Sequence, residues 1–113
     1  MSILSIRRFP DAILKIPTRR VHQIDERVRR LIDDTVTTMR RHPRCVGLAA
    51  PQVGSRLRVA VMDASIHPKA GGNHGLLVLI NPELDEPKGE SIGREGCLSV
   101  PDFTGSVRRA ARL

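Results

Sequence analysis

Apolar residues recur at helical spacing from residue 24 onward: Ile24, Val28, Leu31, Ile32, Thr35, Val36 and Met39 share one face. Asp25 and Arg29, and Glu26 and Arg30, stand four apart on the opposite face, a spacing that supports a helix. His42-Pro43 is expected to end it, because the residue before a proline is pushed out of the helical region. After Gly54 the period shortens. Residues 57–63 (Leu-Arg-Val-Ala-Val-Met-Asp) alternate as a strand does. A turn-rich loop with Pro68, Gly71, Gly72 and Asn73 follows. Residues 76–80 are a continuous apolar run between Gly75 and Asn81-Pro82, which predicts a buried strand. A weaker strand is predicted over 88–94 and the beginning of another over 105–113. Residues 3–9, closed by Pro10, read as a short extended or irregular lead-in, and Pro17 ends the next stretch. One helix followed by consecutive strands implies an α+β fold with a largely antiparallel or mixed sheet.

At 113 residues the chain allows one domain, which hides roughly 65% of its unfolded surface. Phe9 and Phe103 are the only aromatic residues, so Val, Ile, Leu, Ala and Met must build the core. No apolar run approaches the ~18 residues needed to span a bilayer, and the first residues do not follow a secretory pattern. With no export signal, Cys45 and Cys97 are expected as reduced thiols and the chain as cytoplasmic.

The net charge of +7 is unevenly placed. Residues 1–56 hold 12 Lys/Arg and 5 Asp/Glu, whereas residues 57–113 hold 7 of each. Such a half is either a solvated helix face or a surface that steers toward a polyanion. The lack of interleaved aromatics argues against specific single-strand recognition.

Two segments carry candidate chemistry. In residues 95–101, Glu-Gly-Cys-Leu-Ser-Val-Pro, Cys97 sits on a constrained turn. A thiol there is a metal ligand, a nucleophile or a small buried hydrophobe. Residues 46–54, Val-Gly-Leu-Ala-Ala-Pro-Gln-Val-Gly, hold no titratable group. Alone they read as a tight helix-to-strand connection in which Gln52 offers an amide that donates and accepts.

Together, in this order and 45 residues apart from Gln52 to Cys97, the segments resemble the first two motifs of the peptide deformylases. These are metal hydrolases that remove the formyl group from N-formylmethionyl peptides. The helix, Asn81-Pro82 and Val100-Pro101 extend the resemblance to nearly all 113 residues, while the family's His-Glu-x-x-His motif is absent. The resemblance implies that Cys97 is the thiolate ligand of an Fe²⁺ ion, with Zn²⁺ or Ni²⁺ as substitutes, alongside two histidines of the missing motif. It implies a metal-bound hydroxide as the attacking group. The Gln52 amide and the Leu98 backbone N–H would stabilise the oxyanion, a role worth about 3–4 kcal/mol per donor. Gly47 would let the backbone lie close to the substrate, Leu48 would fix the local turn, and Glu95 would anchor its motif at the peptide site. Two positions depart from the family: Cys45 replaces the first glycine of a Gly-x-Gly, and Thr104 stands where many relatives carry arginine.

His22, His42, His67 and His74 are expected at the surface, with none beside Cys97, which argues against a thiol hydrolase. One thiolate does not hold Fe²⁺ or Zn²⁺ at useful affinity, so the metal is not expected on these residues alone. Residues 1–113 are therefore expected to form a partial deformylase-like domain, inactive alone. Its apolar strand surface would leave it unstable or self-associating. The alternative is a non-catalytic protein that keeps the peptide groove or basic face to associate with ribosomes or nascent chains.

Overall fold

The helix forms where its periodicity places it. In the computed structural model, which describes residues 2–65, 72 and 74–111, α1 spans Glu26–Arg41. Asp25 caps it: the carboxylate accepts the Val28 N–H at 3.1 Å, satisfying a donor that the first helical turn leaves unpaired. The expected Asp25–Arg29 pairing gives way to this cap. Ile24 falls outside the helix and is exposed. At the other end His42 turns extended before Pro43, its N–H reaching back to the Met39 carbonyl.

Strands β1 (Gly47–Ala49), β2 (Val59–Asp63) and β3 (Leu76–Ile80) make one antiparallel sheet in that order. The register pairs Leu48 with Val61 and Val61 with Val78, so all three point to one face. Helix α1 packs on β1 and β2, and Met39, Leu48 and Val61 close into a nearly solvent-free cluster. A second cluster joins Val21, Val28, Ala50 and Val59. Two threonines buried in the helix are satisfied internally, Thr35 Oγ1 donating to the Leu31 carbonyl and Thr38 Oγ1 to that of Asp34.

Strand β3 is less buried than its apolar run suggests. It is the sheet edge beyond the helix, and Leu76 and Val78 remain 42% and 39% exposed. Asn81 ends it in the left-handed region (φ 54°), and its side-chain amide brackets Val21 with two 2.8 Å hydrogen bonds.

The second sheet is a hairpin of β4 (Ser91–Cys97) and β5 (Val100–Arg109). Strand β5 begins at Val100, not at 105. Pro101 lacks a ladder donor and is tolerated because it lies on a two-stranded ribbon, where every strand is an edge. Leu98 and Ser99 form the turn, and the register shifts at Gly96/Cys97.

The amino-terminal lead-in is a strap with a fixed path. Ser2 N–H donates to Asp34 Oδ1 (2.7 Å) and Leu4 N–H to Thr38 Oγ1 (2.8 Å), along the helix. Arg7 N–H then reaches the Gln52 carbonyl (2.6 Å) and Phe9 N–H that of Ser99 (2.7 Å). The strap thereby joins the helix, the turn after β1 and the hairpin tip. No helix among the described residues is long and apolar enough to cross a membrane.

Candidate functional site

The two motifs meet at Gln52. It lies in a single 3-10 turn, Ala50–Val53, which follows β1 and is stopped by Gly54 at φ 91°. A Cβ on Gly54 would sit 3.1 Å from the Arg7 guanidinium, so both conformation and space favour glycine there. Gln52 Oε1 accepts the Ala49 N–H at 3.0 Å, which fixes which way the amide faces. Its Nε2 then points away from the turn and donates to Cys97 Sγ at 3.3 Å and Ser99 Oγ at 3.2 Å.

Cys97 closes β4, and its free thiol is exposed. The Leu98 side chain is tucked against the Met39 cluster, while its N–H makes no hydrogen bond among the described residues. Ser99 is buried and holds both the Gln52 amide and, through its carbonyl, the strap. Its place beside Cys97 was the available sequence signal, and sequence reasoning gave it no role.

Gln52, Cys97, Leu98 and Gly47 line one cavity of about 560 Å³, together with Cys45 and Arg8. The structure does not bring Leu48 and Glu95 to its wall. Leu48 turns its side chain into the core under β1, 2% exposed. Glu95 receives two hydrogen bonds from Arg109 across the hairpin, at 2.8 and 2.9 Å. Thr104 takes a short hydrogen bond from the Arg94 guanidinium.

Cys45, in place of glycine, donates its thiol to the Gly47 carbonyl at 3.3 Å. Burial pushes this thiol above its usual pKa, the Gly47 bond offsets part of the rise, and nearby Cys97 adds to it. The Glu95 carboxyl is held below its usual 4.5 by the hydrogen bonds from Arg109. A group with a lowered folded pKa stabilises the fold above its unfolded pKa and loses that contribution as pH falls through the folded one. Thermal melts should therefore show a loss of stability on acidification below about 4.5, and Glu95→Gln should flatten part of it. Identical slopes in both proteins would count against the pairing.

His22 and His74 are exposed as expected, and His67 lies outside the described residues. His42 departs from expectation. It is half-buried at the end of α1 and shares the cavity wall with Cys97, with no hydrogen bond between them. The described residues contain no group of three or more His, Cys, Asp or Glu able to hold a metal. A transition-metal hydrolase centre needs at least three protein ligands, so these residues do not fit a metal on their own.

The fold and this junction define a deformylase-like α+β domain, and comparison with known proteins agrees. The family model described as polypeptide deformylase matches residues 3–113. The chain is 41% identical over 113 residues to a peptide deformylase of Thermodesulfovibrio yellowstonii, covering 100% of this chain and 66% of that relative. For a peptide deformylase of Acetivibrio thermocellus the values are 45% identity, 100% and 61%. The crystal structure of a Legionella pneumophila peptide deformylase superposes with TM-score 0.85 at 39% identity, covering 96% of this chain and 61% of that one. An Ehrlichia chaffeensis peptide deformylase in complex with actinonin gives 0.86 at 35% identity, with 96% and 64% covered. The chain belongs to the polypeptide deformylase family. It spans about two thirds of the length of the relatives it matches.

Proposed function

We propose that this chain supplies the peptide-binding and oxyanion-stabilising part of a deformylase site, acting on N-formylmethionyl peptides in the cytoplasm. The observation that carries the reading is the 3.3 Å contact between Gln52 Nε2 and Cys97 Sγ, which joins two motifs 45 residues apart. In formamide hydrolysis, water adds to the formyl carbon and the carbonyl oxygen becomes anionic. The C–N bond then breaks, releasing formate and the free amine. Gln52 Nε2 and the Leu98 N–H are the donors suited to the developing anion. For Gln52 to serve, one amide hydrogen must exchange Cys97 or Ser99 for the substrate oxygen. Gly47 lines the same cavity, where its backbone is available to a peptide.

No step of water activation is assigned to the described residues. Cys97 offers one thiolate toward the iron, zinc or nickel that the family resemblance implies, and the remaining ligands and the base are assigned to groups outside them. The second reading is a non-catalytic binding protein that keeps the peptide cavity. The uneven charge supports a ribosome-facing role for the basic half in either case. Leu76 and Val78, exposed on β3, support self-association.

The test is formate release from formyl-Met-Ala-Ser by the intact gene product and by its Cys97→Ser variant. The deformylase reading predicts formate from the first and loss by at least about 10³-fold in the second. A product that binds the peptide equally with and without Cys97, and releases no formate, would establish the binding reading instead.

A further inference from the structure

The geometry points to Arg8 and Arg44 as a carboxylate-recognising pair that selects acidic peptides at this cavity. The inference rests on the proposed reading of the cavity as a peptide site and adds a substrate preference to it.

Arg8 is held in place by its neighbours in the strap. On either side of it, the Arg7 N–H is tied to the Gln52 carbonyl at 2.6 Å and the Phe9 N–H to the Ser99 carbonyl at 2.7 Å. Arg7 turns outward to Asp11 and Gly54, and Arg8 lines the cavity that holds Gln52 and Cys97. Arg44 reaches the same cavity from the turn before β1, with its backbone at φ 68°. Asp102, also on the wall, shares that φ of 68°. Left-handed conformations are uncommon for residues other than glycine, and they concentrate at ligand clamps and active sites.

Charge on the wall is not balanced. Its charged groups are Arg8, Arg44 and Asp102, with His42 and the two thiols as the other titratable ones. Neither Arg8 nor Arg44 makes an ion pair among the described residues, although five other arginines do. Two unpaired guanidiniums beside one carboxylate leave the cavity cationic. Guanidinium is the side chain best matched to a carboxylate, which it binds through two parallel N–H donors. The complementary ligand is a peptide bearing a carboxylate downstream of the formyl-methionine, either an Asp or Glu side chain or a free C-terminus.

The experiment uses the intact gene product and four peptides: formyl-Met-Ala-Ala-amide, formyl-Met-Asp-Ala-amide, formyl-Met-Lys-Ala-amide and formyl-Met-Ala-Ala with a free carboxylate. Both kcat/KM and Kd by calorimetry are measured. The Asp peptide or the free-acid peptide should exceed the neutral amide by about tenfold, and the Lys peptide should fall below it. Which of the two acids gains identifies the source of the carboxylate. In the Arg8→Ala/Arg44→Ala double variant the acidic-to-neutral ratio should drop to about one, and Arg→Lys at both positions should restore part of it. A ratio near one in the unaltered protein, or a ratio retained in the double variant, would overturn the inference. Hydrolysis of all four peptides at equal rates would do so while leaving the deformylase reading intact. If none is hydrolysed that reading falls, and the Kd ratios still decide the charge preference.

Discussion

Gln52→Glu is expected to lower kcat/KM for formyl-methionyl peptides by about 10²–10³-fold in the intact gene product, without unfolding it. The substitution separates the two jobs of this side chain. A carboxylate oxygen still accepts the Ala49 N–H, so the turn after β1 keeps its anchor. Both side-chain N–H donors are lost, so residue 52 no longer donates to Cys97, to Ser99 or to the oxyanion, and the Leu98 N–H is left as the remaining proposed donor. The new negative charge also opposes the charge that develops on the formyl oxygen. Gln52→Ala would be less informative, because it removes the turn's acceptor as well. Circular dichroism and a melting curve check that the fold survives, and steady-state kinetics read the loss. A change of less than about threefold would mean that Gln52 faces the cavity without serving the reaction.

The second large effect is on stability. Met39 is 1% exposed and packs against Leu48 and Val61, with Leu98 leaning on the same cluster. Met39→Ala removes two buried carbons and a sulfur from a small core. Its cost should be about 3 kcal/mol, within the range for large-to-small core changes. In a domain of this size that corresponds to a fall in Tm of roughly 15 °C. Leu84, at 82% exposure, is the control, and Leu84→Ala should change stability by less than about 0.5 kcal/mol. Similar melts for the two variants would show that the cluster under the site is not the core. Because Leu98 rests on this cluster, Met39→Ala should also loosen the hairpin tip that carries Cys97.

What the sequence made legible follows from where information is held in side chains. Helix α1 announced itself through its apolar period and His42-Pro43, and β2 and β3 through alternation and an apolar run. Two short motifs, read together, identified the family and assigned Gln52 and Cys97 to one site, and the structure adds their 3.3 Å contact. The strap was invisible for a physical reason. Its tie points to Gln52 and Ser99 are backbone-to-backbone hydrogen bonds, which any residue can make. Strand β5 was expected only from 105, whereas it starts at Val100 because the two-stranded context tolerates Pro101. The exposure of β3 depends on how far α1 extends across the sheet, a tertiary property. His42 reached the cavity wall for a similar reason, since a helix terminus reveals nothing about what it faces. Ser99 was readable as part of its motif, yet its burial between Gln52 and the strap was not.

The same tertiary features shape the site's chemistry. The strap, β1 and the hairpin tip preorganise a donor amide and a thiol on one wall, which is what binding and charge stabilisation require. They do not gather three metal ligands among the described residues.

The most direct test of this account is amide NMR of the isotopically labelled intact gene product during titration with a formyl-methionyl peptide. The side-chain amide of Gln52 and the backbone amide of Leu98 should shift in parallel and saturate with one Kd, while the core amide of Val61 stays unmoved. Saturable shifts confined to other surfaces, with Gln52 and Leu98 unchanged, would contradict the assignment of this cavity as the formyl-peptide site.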